Sequence, residues 1–172
     1  MKEISHLLRL AYLTILQPLQ VEGVTIPISD LVLNPNTVVP TYRNGKCYVL
    51  IGDQNEVENS NNDCSFRQTA TINLDIVTKY PMNGGSRLAS EYISNVIQEK
   101  VNLLTGQAIV FEEQGFQVLS TRKVFANTFQ ESGQSIMVYR KRLTFAHTIY
   151  QSGGAVVNNP MNTLNLTLNA SI

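Results

Sequence analysis

The sequence predicts an α+β fold: an antiparallel sheet of about four strands, two helices packed on one of its faces, and an extended C-terminal arm. Three observations carry this reading. Apolar residues recur at helical spacing over 4–16 and again over 88–101, and residues 68–78 alternate apolar with polar at a period of two. The elements then follow in the order helix, two strands, helix, two strands. That order suits a twisted sheet whose buried face is covered by helices. A chain of 172 residues is one domain's worth of protein, large enough to bury a real core.

Ile4, Leu7, Leu8, Ala11, Ile15 and Leu16 fall on one helical face, and Pro18 ends the pattern. Residues 19–44 hold Pro27, Pro35 and Pro40, so this stretch is expected to be extended or looped. The turn Asn44-Gly45 opens a short apolar strand, Lys46 to Gly52, and Asn55 to Asp63 reads as a polar loop. The clearest strand follows, with Ala70, Ile72, Leu74 and Ile76 alternating with Thr69, Thr71, Asn73 and Asp75. The run Pro81-Met82-Asn83-Gly84-Gly85 breaks it, and Ser86 is placed to cap a second helix. Leu88, Ala89, Tyr92, Ile93, Val96, Ile97 and Val101 form that helix's stripe, which ends near Gly106.

Phe116 to Phe125 and Met137 to Tyr150 read as two further strands, with a loop from Gln130 to Gln134 between them. In the last strand Tyr139, Leu143, Phe145 and Ile149 share one face, while Arg140, Arg142, Thr144 and Thr148 share the other. The chain thus divides into an α+β domain over 1–152 and an Asn-rich arm over 153–172. Within the arm Leu164, Leu166 and Leu168 alternate with Asn and Thr. Two readings stand: a terminal strand folded back on its own sheet or left loose, and an arm that adds a strand to a neighbouring subunit.

Composition narrows the function classes. Only 15% of residues are charged, against about 25% in average domains, and thirteen basic residues balance thirteen acidic ones. No net field therefore draws the chain to nucleic acid or to an anionic membrane. Polarity comes instead from 17 Asn, 11 Gln, 12 Ser and 14 Thr, neutral groups that cost less to bury against a partner than charges do. This favours a subunit over a free monomer. No apolar run approaches the ~18 residues of a membrane helix. The N-terminal stretch is interrupted by His6, Arg9, Tyr12 and Thr14, unlike a signal peptide. Two cysteines, Cys47 and Cys64, make no disulfide framework, so the expectation is a protein made in the cytoplasm with reduced thiols.

Chemistry-bearing clusters are few. His6 falls on the polar side of the first helix, and His147 shares a face with Phe145 and Ile149, where a hydrogen-bonded core histidine is the usual occupant. A Cys–His pair built from Cys47 or Cys64 with His147 lacks any nucleophile-elbow context. The cysteine spacing closes no tetrahedral metal site. Asp53, Glu56, Glu58 and Asp63 lack the calcium-loop pattern and read as a solvated loop. Asn83-Gly84-Gly85-Ser86 is a helix start rather than a phosphate cradle. The triplets at Asn165 and Asn169 are what an Asn/Thr-rich tail produces by chance. The reading is a non-enzyme with no catalytic, cofactor-binding or metal residues. Arg122, Lys123, Arg140 and Arg142, on adjacent strands, are the candidates for contact with a channel or a neighbouring subunit. Alternation puts Lys141 on the face opposite Arg140 and Arg142.

The order of elements carries a resemblance. A leading amphipathic helix is followed by an extended segment ending Val38-Val39-Pro40-Thr41-Tyr42, then KCYVLIG, a polar loop and the long strand QTATINLDIVTKY. The break PMNGGS leads into RLASEYISNVIQEKVNLL, then GFQVLSTRKVF and MVYRKRLTFAHTIY. Over roughly residues 1–150 this resembles the tail-terminator and tail-completion proteins of tailed bacteriophages, and the related head–tail connector rings of the neck. It rests on element order and on the strand ending Asp75-Ile76-Val77-Thr78-Lys79, not on an invariant signature. The resemblance implies a structural ring subunit of the virion, hexameric or dodecameric, with DNA crossing its lumen and portal, connector and tail proteins as neighbours. It carries no catalytic residues. The proline-bearing segment 19–44 and the tail after residue 150 depart from the pattern. The rival functions are a small soluble α+β ligand-binding domain or enzyme of unknown substrate, and a surface subunit completed by a donated strand.

Overall fold

The computed structural model describes residues 4–30, 32–61, 65–82, 84–102, 116–133 and 135–152. Helix α1 spans Ser5–Leu16. Ile4, Leu8, Ala11, Tyr12 and Leu16 are buried, and Leu7 and Ile15 pack partly buried against the same core. The helix stops because Pro18 forces its predecessor out of helical geometry. Gln17 is extended, and its N–H makes the last bond to Leu13 O at 3.1 Å.

The proline-containing segment is extended, as expected, but it is also paired. Strands β1 (Leu19–Val21) and β2 (Val24–Ile26) form a separate hairpin. Its two-residue turn, Glu22-Gly23, has both φ angles positive, 48° and 81°. This is the type I′ pattern, whose twist matches that of the flanking strands. Strand β3 (Ile28–Asp30) runs parallel to β5 (Gly45–Asn61), and β4 (Thr41–Tyr42) pairs with the start of β5. The β4–β5 turn, Arg43-Asn44, is a second two-residue turn with positive φ at both positions. The two turns are clasped together. Arg43 donates to both Glu22 carboxylate oxygens at 2.8 and 2.9 Å, Tyr42 Oη donates to Glu22, and the Arg43 guanidinium lies 4.1 Å from the Tyr92 ring centroid. These hydrogen bonds hold the Glu22 carboxyl below its ordinary pKa.

The main sheet is completed by β6 (Ser65–Pro81), β7 (Phe116–Ser132) and β8 (Ile136–Ser152), in the order β3-β5-β6-β8-β7 with β4 beside β3 on β5. It has six strands rather than about four. The four expected long strands are present, and β3 and β4 come from the proline-bearing segment. Two expected loops are strand instead. Residues 55–61 continue β5 past a bulge at Gly52-Asp53, paired with β6. β7 runs on to Ser132, and the turn closes with Gly133 N–H donating to Ile136 O at 2.9 Å. Both segments are polar and have no buried side chain among those described, and polarity without burial reads as loop. Backbone pairing is what makes them strands.

Helix α2 spans Leu88–Asn102, with Leu88 N–H donating to Ser86 Oγ at 3.1 Å as the expected cap. Its buried face is Ala89, Ile93, Ile97 and Val101, with Ser90 and Ser94 buried beside them. Leu88 and Tyr92, expected in the stripe, are exposed. The expected end near Gly106 lies outside the described residues. Both helices cover the same sheet face, where Val49, Ile51, Ile72, Leu74, Leu143 and Phe145 are fully or almost fully buried.

Inside this core lies one polar cluster. Tyr12 Oη is 2.8 Å from His147 Nε2, and Thr121 Oγ1 is 3.1 Å from Nδ1, so both ring nitrogens have a partner. Tyr12, absent from the apolar face expected for the first helix, is fully buried and packed edge-on to His147. His147 is the expected core histidine. Burial pushes its pKa down to about 4 and that of Tyr12 well up.

Tyr12→Phe leaves one imidazole nitrogen unpaired in the core and is expected to cost ~1–3 kcal/mol in urea unfolding. The histidine also sets a pH dependence. Its folded pKa is depressed below the ordinary 6.5, so the unfolded chain takes up the proton first. Stability is therefore full above pH 6.5 and falls as pH drops toward about 4, by about 3 kcal/mol in all. Unfolding midpoints at pH 7 and 4.5 measure this, and His147→Gln removes the component due to the imidazole.

Candidate assembly surface

Each long strand has 17 residues and so runs ~56 Å. The helices, of 12 and 15 residues, span only ~18 and ~22 Å. They cover the sheet from Phe116 and Ile149 to Leu143 and Ile76. Beyond that line β7 and β8 continue as a hairpin with no helix over it among the described residues. After Val118, no residue of β7 is buried, on either face. Leu119, Val124, Phe125, Phe129 and Ile136 are each 39–47% exposed. Register shifts at Leu119 and Val124 bulge this strand, and bulges increase local twist.

The sheet face away from the helices is uncovered among the described residues, yet it is organised. Asp75, in the middle of β6, is nearly buried there. Arg142 donates to both its oxygens, Nε to Oδ1 and Nη2 to Oδ2, each at 2.8 Å. Arg140 Nη1 stands 3.6 Å from Asp75 Oδ2, and Arg140 Nε is 3.7 Å from Glu131 Oε1. The Asp75 hydrogen bonds raise the Arg142 pKa further. Asn73 Oδ1 accepts from Thr144 Oγ1 at 2.6 Å, and the Lys79 ammonium lies 5.2 Å from the Tyr48 ring centroid.

The four basic candidates are thus not one patch. Arg140 and Arg142 are on the uncovered face, as alternation requires, and are engaged by Asp75 within the chain. Arg122 shares their face, since it pairs with Ala146, and is exposed with no ion pair among the described residues. Lys123 points to the helix side, where Nζ donates to Gln98 Oε1 at 2.6 Å. Lys141 is on that side too, and partial burial lowers its pKa. Leu164, Leu166 and Leu168, the arm over 153–172, and Cys64 lie outside the described residues.

The other chemistry considered is dispersed. Cys47 pairs with Thr78 and His147 with Ala70, eight positions apart along β6, or about 26 Å. Burial raises the Cys47 thiol to about 11, and the Sγ is directed to the carbonyls of Tyr42 and Gly45. His6 is exposed. Asp53, Glu56 and Glu58 stand on a strand, not a loop, and Glu56 accepts from Ser5 Oγ. Among the described residues no three His, Cys, Asp or Glu come together as a metal site, and no helix is long and apolar enough to cross a membrane.

Two features escaped the sequence reading. Asp75 looked like one more polar position in an alternating strand, and only the register sets it against Arg142. Phe125 and Phe129 left a visible trace, two aromatics in an otherwise polar run, but the strand was expected to end at Phe125.

Asp75→Asn keeps the shape but removes the charge that two arginines share. The expected loss is ~1–3 kcal/mol in urea unfolding, at the lower end because both guanidinium groups are about a third exposed and screened by solvent.

Comparison of the chain with protein-family models and with curated proteins finds no match to either.

Proposed function

We propose that the protein is a structural subunit of a homo-oligomeric ring in the neck or tail of a tailed bacteriophage. In this reading it is a head–tail connector or tail terminator that joins the portal side to the tail around the DNA channel. The observation that carries the self-association is the β7–β8 hairpin, which runs past the helix layer among the described residues and exposes Val124, Phe125, Phe129 and Ile136 in an otherwise polar run. A monomer gains nothing from such a strand and risks unspecific edge pairing. Copies of the chain can cover it. The element order supports the phage assignment through its resemblance to the terminator and connector families. In a ring each contact is heterologous, one face of a subunit meeting a different face of the next until rotation closes the cycle. The ring is a passive conduit in the virion with no chemistry of its own.

Native mass across a concentration series tests the reading. The expected species is a closed ring of six or twelve copies; a monomer at every concentration would overturn self-assembly. Phe125→Ser with Phe129→Ser is expected to weaken assembly at least ~10-fold while moving the unfolding free energy by no more than ~0.5 kcal/mol, because these side chains are outside the core. Deleting residues 153–172 is expected to weaken assembly and leave the domain folded by circular dichroism.

A further inference from the structure

Among the described residues the main sheet has two open edges, and they differ in charge. At one end, no strand among the described residues pairs with the outer side of β7. At the other, β5 is covered by β4 at Gly45 and Lys46 and by β3 at Val49 to Ile51, and among the described residues no strand pairs with it there from residue 53 onward. The open length of β5 carries Asp53, Glu56 and Glu58, whereas the open edge of β7 carries Arg122 and Lys123. None of these five takes part in a salt bridge among the described residues.

We infer that the β7 edge of one copy pairs with the open length of β5, residues 53–58, of the next copy, so that the sheet continues from subunit to subunit. This names the contact within the ring proposed above and rests on that reading. Strand direction permits it. β5, β6, β8 and β7 alternate in direction, so the two edge strands run oppositely. A copy related by rotation about an axis along the strands therefore presents β5 antiparallel to β7, with its helices on the same side.

The faces match as well. Lys123 pairs with Phe145 on the helix side of the sheet, the side on which Glu56 and Glu58 stand opposite Ala70 and Gln68. Arg122 is on the uncovered face, and Asp53 lies in the β5 bulge next to Gln54, which pairs with Ile72 on the helix side. Val57, 52% exposed, is on the uncovered face together with Phe125. Charge also excludes the symmetric alternatives. Two β7 edges would set arginine and lysine against their own copies, and two β5 edges would set acid against acid. Bulges and like charges that keep an edge from pairing with itself leave a partner of opposite charge as the fit.

Charge reversal tests the contact, read by native mass across a concentration series with circular dichroism as the control for folding. R122E/K123E and D53K/E58K are each expected to raise the apparent dissociation constant ~100-fold or more, since like charges across an interface cost several kcal/mol. Mixing the two variants restores complementary contacts at both edges, so an alternating ring with an even number of copies is expected. If the wild type forms a ring and both variants form it equally well, the edge pairing is wrong and the ring stands. If both variants dissociate but the mixture does not reassemble, the two edges do not meet each other and the pairing is again overturned. A wild-type chain that is monomeric throughout overturns the ring and this contact with it.

Discussion

The mismatch between strand length and helix length governs this molecule. Seventeen-residue strands reach more than twice as far as the two helices that pack on them. One part of the sheet therefore has a core of interdigitated side chains, and the rest is held by backbone pairing and cross-strand contacts alone. Every other feature falls on one side of that line. Most buried aliphatic residues, the helix contacts and the His147 cluster lie under the helices, while Val77 and Ala146 are buried on the far face. Exposed aromatics, unpaired charges and open backbone edges lie beyond them or on the far face.

The two faces solve the burial of polar groups in different ways. Under the helices the cluster of Tyr12, His147 and Thr121 is neutral, because a charge there would lack both water and a counter-ion. On the uncovered face Asp75 is gripped by Arg142, with Arg140 nearby, and both guanidinium groups still reach solvent. The clasp between Glu22 and Arg43 serves a third purpose. It ties two tight turns to each other and to Tyr92 of α2, and so fixes the small β1–β2 hairpin to a sheet with which it shares no ladder.

For assembly, these features separate stability from association. The apolar residues that form the core are covered, and the aromatics exposed on the hairpin lie outside it, while the Asp75–Arg142 pair stabilises the far face. Such a division suits a subunit that folds first and joins copies of itself afterwards. The opposite charges stand at the two ends of one sheet, as the head-to-tail contact proposed above requires.

Residue pattern alone determined the two helices, the four long strands, the inward-facing set Ala70, Ile72, Leu74 and Ile76, and the division of β8 into a core face and an arginine face. These follow from local periodicity, which depends only on backbone geometry and on which positions meet water. Tertiary structure decided how far the strands run, where the proline-bearing segment pairs, and which charges meet. Residues 55–61 and 126–132 are strand because another strand lies beside them, and nothing in their own polar sequence records that neighbour. Asp75 and Arg142 are 67 positions apart, and the burial of Tyr12 depends on His147, 135 positions away. Such pairings are properties of register between distant segments, and a periodicity of two or 3.6 residues carries no information about register.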